Sequence, residues 1–212
     1  QMENGELQLL FKVQKPVTVQ RAAITTGGSP RANALQYLAN LGHNIVQPVP
    51  SLFTFNIADT AFKALMGTVV EGVTVSLVGT KHKATGPLLV THWGASGPAI
   101  LKHSSYGARY VHDCGYQFAI AVNWIGLTNS ALVAEHLQGI VDSNPRKFLT
   151  SVHPFGLPTR MWQYILEKTA LGAEKRWDEL GKKGLNKLVE ALTNDQYKVT
   201  GKGAFRDEFV TC

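Results

Sequence analysis

Gly86-Pro87-Leu88-Leu89-Val90-Thr91-His92-Trp93-Gly94-Ala95-Ser96-Gly97-Pro98-Ala99-Ile100-Leu101 is the stretch on which the reading of this chain turns. Leu88 to Val90 is a short apolar run of the kind a buried strand presents. Two glycines follow, and the chain restarts as a helix with Pro98 in its first turn, where a missing N–H costs nothing. His92, Trp93 and Ser96 lie between strand and helix. Two roles fit such a passage. Small residues let the backbone approach a ligand, and the free N–H groups at a helix start suit an anion. The same residues also make a tight structural turn with Trp93 packed into a core.

Short strand-like runs surround this stretch, at Leu52 to Asn56, Val69 to Val78 and Phe118 to Trp124. Brief helical pieces interrupt them near Ala61 to Leu65 and Ile100 to Ser105. Several short strands at irregular spacing predict a small barrel or curved sheet over residues 51–127. From Thr128, read as a helix cap, the apolar period becomes helical. Helices are expected over Thr128 to Ile140, Pro145 to Leu149, Pro158 to Thr169, Ala173 to Leu180 and Gly184 to Leu192. Each is too short to stand alone, so the expected helical subdomain at 128–195 buries Trp162, Ile165, Leu166, Trp177, Leu185 and Leu188. Tyr197 to Val199 and Phe205 to Val210 return to strand. The fold class is therefore α+β, with helices inserted between strand-forming parts.

Toward the N-terminus, Leu7 to Val13 and Val17 to Thr25 read as a hairpin. The second run enters Thr26-Gly27-Gly28-Ser29-Pro30, where Ser29 can cap a helix and Pro30 can open it. Ala34, Leu35, Leu38 and Leu41 form its stripe, and Gly42 stands where a left-handed terminator belongs. Pro48-Val49-Pro50 marks the end of a first domain. Gly27-Gly28 is either a plain turn or a nucleotide contact. It is not a G-x-G-x-x-G loop, and the chain has no G-x-x-x-x-G-K-[ST] loop either.

Composition and spacing narrow the chemistry. The chain has 212 residues, 44% of them hydrophobic, which is ample for a core. It has two cysteines, Cys114 and terminal Cys212, which fits a reducing cytoplasm better than a disulfide framework. No run of apolar residues is long enough for a membrane span. Gly94-Ala95-Ser96-Gly97-Pro98 puts proline where a serine-hydrolase elbow needs glycine. The spacings of His82, His92, His103, His112 and Cys114 match no compact metal-ligand pattern, so no metal is expected. His112-Asp113-Cys114, read as a strand, would point adjacent side chains to opposite faces and so make a poor thiol site.

The formal charge is +6, spread evenly: residues 1–140 hold 9 Lys/Arg against 6 Asp/Glu, and the remainder 12 against 9. An even excess attracts nucleotides or nucleic acid without identifying either. Lys81, Lys83, Lys182, Lys183 and Lys187 can contact phosphates, although acids alternate with them as on a solvated face. A basic interaction or nucleic-acid-binding module without enzymatic activity is therefore the alternative function.

Arg21-Ala22-Ala23-Ile24-Thr25-Thr26-Gly27-Gly28 resembles the ATGG passage of flavoproteins with two dinucleotide domains. Leu41-Gly42-His43, Pro50-Ser51-Leu52 and Thr91 to Leu101 resemble one branch of them, the HI0933-like or YhiN-like family with its BaiN-type enzymes. The resemblance covers nearly the whole chain with its motifs in order. It implies an FAD-dependent oxidoreductase that uses NAD(P)H on a small organic substrate, in a protein about twice this length. Residues 1–50 would be part of the FAD-binding domain and 51–205 an insert of β-barrel and helical subdomain. Residues 206–212 would begin the return to the FAD domain. Thr26, Gly27 and Gly28 become the FAD-side candidates; His92, Trp93 and Ser96 become candidates for the substrate-side wall. Ser29-Pro30-Arg31-Ala32-Asn33 replaces a longer, G-D-G-like loop of many relatives. The pyrophosphate loop would lie outside this chain, which is expected to bind FAD poorly by itself and to be inactive alone.

Overall fold

The computed structural model describes residues 5–25 and 32–203. Thr26, Gly27, Gly28, the Ser29 cap with Pro30, and the expected strand and return at 205–212 lie outside them. The chain forms two compact units, divided between Ile45 and Val46.

In the first unit, β1 (Leu7–Leu9) and β2 (Val17–Val19) pair antiparallel, Leu7 opposite Val19. The paired part is far shorter than the apolar runs. Leu10 and Val13 leave the ladder and stand 74% and 96% exposed, so longer pairing would bury neither, and a two-stranded ribbon gains little without burial. A 3-10 turn at Ala32–Leu35 leads into α1 (Gln36–Asn40). Gly42, at φ +90°, ends α1: its N–H bonds the Ala39 carbonyl and the N–H of His43 bonds that of Leu38. These two bonds make a Schellman motif, and only glycine enters that conformation cheaply.

The second unit is built on six antiparallel strands, β3 (Phe55–Ile57), β4 (Val69–Leu77), β5 (Lys83–Val90), β6 (Gly94–Ser96), β7 (Phe118–Asn123) and β8 (Asp195–Lys202). They close into a barrel in the order β3-β6-β5-β4-β7-β8, with β3 pairing β8 to seal it. The closing strand comes from residues that follow the helices. Strands β4 and β5 are the longest pair. Their register slips between Val70 and Val73, where Gly72 takes φ +65°. Pro87 falls opposite this bulge, a position where its missing N–H breaks no regular ladder bond.

Helix α2 (Thr60–Lys63) is capped by Asp59, whose carboxylate accepts from the N–H of Phe62. Helices α3 (Pro98–Tyr106) and α4 (Ala108–Asp113) follow β6, and Ala99, Ile100, His103 and Ser104 are the buried residues of α3. Helix α4 corrects the strand reading of His112-Asp113-Cys114, for Cys114 is the C-cap of a helix. Six residues are too few to display a helical period, and the burial of Val111 selects the helix.

The inserted helices are α5 (Ser130–Ser143), α6 (Thr159–Lys168) and α7 (Gly181–Thr193). Asn129, not Thr128, caps α5, its side chain accepting from the N–H of Ala131 at 3.0 Å. The helix expected at Pro145–Leu149 does not form, and Ala173–Leu180 contracts to a 3-10 turn at Trp177–Glu179. The reason is mutual. Phe148 bridges Arg176, the N–H of Leu149 bonds the Lys175 carbonyl, and the N–H of Trp177 bonds that of Lys147. Backbone groups satisfied across the two segments cannot also serve a helix. This pairing stacks Trp162 on Trp177, ring centroids 6.2 Å apart. Of the six residues expected in this core, five are buried and Leu185 packs against it half-buried. Barrel and helices share one hydrophobic core. None of the helices among the described residues is long and apolar enough to cross a membrane.

Candidate functional site

The quoted stretch becomes β5, a tight turn, β6 and α3. The turn is closed by Thr91, whose N–H and hydroxyl both donate to the Gly94 carbonyl, at 2.8 and 3.1 Å, while its Oγ1 accepts from the N–H of Gly94 at 3.2 Å. Strand β6, three residues long, carries too little pattern to be read in advance. Its existence depends on Gly94. A Cβ there would stand 2.2 Å from the Phe55 carbonyl oxygen and 2.5 Å from the nitrogen of Ile57. Gly97 caps α3 at φ +93°, and a Cβ on it would stand 2.8 Å from the Pro87 oxygen. A Cβ on Gly86 would meet the nitrogen of Ala99 at 3.3 Å. The close approaches these three glycines permit are therefore to the chain's own backbone. Of the two roles open to this passage, its glycines serve the structural one.

The polar side chains of the turn are placed differently. His92 is exposed and Trp93 half-buried. Their rings meet edge to face at 4.3 Å. Trp93 is anchored twice: its Nε1–H donates to the Thr54 hydroxyl at 3.0 Å, and its carbonyl accepts from the N–H of Ile57 at 2.9 Å. Ser96, half-buried, sits opposite Leu89 in the β5–β6 ladder. The structure thus brings His92 and Trp93 into contact at the turn before β6, with Ser96 at the far end of that strand. An exposed imidazole beside a fixed indole offers ring nitrogens for hydrogen bonding and an aromatic face for stacking to a group presented from outside.

A second polar cluster had no signal in the sequence. Asp195, 4% exposed at the start of β8, accepts from Trp124 Nε1 at 2.9 Å, from Lys168 Nζ at 2.5 Å and from the Tyr197 hydroxyl. Tyr197 spends its single proton on Asp195, so the contact of 2.9 Å between the two phenols runs from Tyr164 to Tyr197. Lys168 completes a ring by donating to the Tyr164 oxygen at 3.3 Å, and its ammonium lies 4.0 Å from the Tyr197 ring centre. Burial, above all, pushes both phenols well above their ordinary value, and the Asp195 charge pushes the same way. They remain protonated donors throughout the physiological range. This ring ties α6 to the barrel, and Arg160 ties it to the turn after α2 by donating to the carbonyls of Ala64 and Met66. Its members come from positions 124, 164, 168, 195 and 197, so no local motif could announce it.

A family model described as HI0933-like protein barrel and H2TH domain matches residues 49–210. The chain belongs to the HI0933-like family. The HI0933-like match takes in the barrel, the inserted helices, the His92–Trp93 corner and the Asp195 ring. Thr26, Gly27 and Gly28 lie before it.

Proposed function

We propose that this chain is the barrel-and-helix part of an FAD-dependent oxidoreductase of the YhiN-like, BaiN-type branch, reduced by NAD(P)H and acting on a small organic substrate. The family match over residues 49–210 is the observation that carries this reading. In this reading residues 1–50 belong to the FAD-binding domain, 51–205 to its insert and 206–212 to the return.

The fit to the cofactor is partial. Gly86, Gly94 and Gly97 are filled by protein backbone, so they offer no cradle for a pyrophosphate. What the described residues offer is a border: an exposed His92, a fixed Trp93 and the hydroxyl of Ser96. Thr26, Gly27 and Gly28 take the FAD-side contacts. When bound, the flavin supplies the redox chemistry, and this chain supplies orientation and exclusion of water. Trp93, held by Thr54, keeps the wall rigid; His92 presents ring nitrogens that can hydrogen-bond substrate; Ser96 offers a donor that can orient it.

The test is flavin absorbance of this chain beside the full-length parent at equal protein concentration. The expected outcome is a yellow parent and a colourless short chain, because dinucleotide affinity rests chiefly on the glycine loop and helix start that grip the pyrophosphate. Stoichiometric flavin in the short chain would displace the cofactor site, and a colourless parent would overturn the oxidoreductase reading.

A further inference from the structure

A cleft of about 910 Å³ runs along one face of α7, lined by Lys168, Lys182, Lys183, Asn186, Lys187 and Glu190 among others. The cleft is shallow and open to solvent, and its wall is more apolar than polar. Its charges are set against the helix that carries them. A helix favours acids at its positive N-terminal end and bases at its C-terminal end. Helix α7 does the reverse, with Lys182 and Lys183 in a first turn that holds no acid and Glu190 near a last turn that holds no base.

The other two cations of the cleft make internal contacts, Lys187 through one of its three ammonium hydrogens. Lys168 is neutralised by Asp195, and Lys187 donates to the Thr169 carbonyl at 3.1 Å. Lys182 and Lys183 are exposed and have no carboxylate partner among the described residues. Helix stability does not account for two unpaired ammonium groups in that first turn.

We propose that this end of the cleft binds a compact phosphate dianion, a phosphate monoester or pyrophosphate, between Lys182, Lys183 and Lys187, with the Asn186 amide as a further donor. Lys183 and Lys187 stand one helical turn apart on the same face of α7, and several point charges around one pocket suit a dianion better than a single carboxylate. Glu190, whose carboxylate holds the Asn194 amide at 2.7 Å, puts negative charge further along the same face. An extended polyanion would run into it, whereas a compact anion stops short of it. The site stands apart from the His92 corner and does not depend on the flavin reading.

The experiment is calorimetric titration of the 212-residue chain with inorganic pyrophosphate at low ionic strength. The expected result is saturable one-to-one binding that added salt weakens. The double variant Lys182→Gln/Lys183→Gln should lose about tenfold or more in affinity. Without anion its thermal midpoint should equal or exceed that of the parent chain, because the cations no longer oppose the dipole, and pyrophosphate should no longer raise it. Lys198→Gln, an exposed lysine on β8 outside the cleft, should leave binding intact. Absence of binding, equal binding by the double variant or equal weakening by Lys198→Gln would overturn the proposal. Tighter binding of a single-stranded oligonucleotide at the same lysines would replace the compact anion with an extended strand.

Discussion

Acidification should destabilise this protein through one residue, His103. Its side chain projects from α3 into the core with 1% of the residue exposed, edge-on to Phe55 at 5.9 Å between ring centres. Neither ring nitrogen has a hydrogen-bond partner. Burial lowers its pKa from 6.5 to about 4; the charge of nearby His82 adds to the shift, and backbone groups of His82 and His103 oppose it without forming a proper bond to the ring. The unfolded chain therefore takes up a proton below about pH 6.5, and the folded chain only near pH 4. Stability from this source is full above 6.5 and drains away as the pH falls toward 4. At 1.36 kcal/mol per pH unit, the loss over that interval is about 3 kcal/mol. Urea unfolding followed by tryptophan fluorescence suits the measurement, since Trp124, Trp162 and Trp177 are all buried. The comparison is with His103→Leu across the same range, so that every other titrating group cancels in the difference. The stability gap between the two proteins should change by about 3 kcal/mol, in favour of the variant at low pH. Parallel profiles would refute the reasoning.

Asp195→Ala should cost about 3–5 kcal/mol, because it strands the buried Trp124 and Tyr197 donors and leaves Lys168 without its counter-charge; thermal denaturation showing a loss below about 1 kcal/mol would contradict that. Gly94→Ala should cost at least about 2 kcal/mol, since the new methyl meets rigid backbone 2.2 Å away, and a drop in folded yield or melting temperature would register it. Gly139→Ala is the opposite case: it lies on the exposed side of α5 with nothing within 4 Å, and should raise stability by about 1 kcal/mol in the same assay. His92→Ala, an exposed change, should move stability by less than about 0.5 kcal/mol and, on the proposed function, lower the turnover of the complete flavoenzyme; unchanged turnover would remove His92 from the proposed substrate wall.

Much of this architecture was legible because its information is local. The long strands β4 and β7 announce themselves through apolar patterns, and Gly42 and Pro98 mark a helix end and a helix start through what their own backbones permit. Helices α6 and α7 carry apolar stripes that predict which side is buried, down to Trp162 and Leu188. The insertion of the helices between strand-forming parts follows from the change of period near residue 128 and its return near Tyr197. His92, Trp93 and Ser96 could be singled out from sequence, but their exposure and the Thr54 anchor could not.

By itself the sequence determined where the longer strands and helices would form, because propensity and periodicity act within a turn or two of chain. Tertiary structure decided what those elements do together. It let β8 close a barrel whose other strands end some 70 residues earlier, at Asn123. It turned two expected helices into paired segments at Phe148 and Arg176, and made a strand of Gly94-Ala95-Ser96. It gathered Trp124, Tyr164, Lys168 and Tyr197 around one buried carboxylate. The physical reason is the same in each case. A backbone group or a charge withdrawn from water must find its partner wherever the fold brings one, and distance along the chain does not enter that requirement.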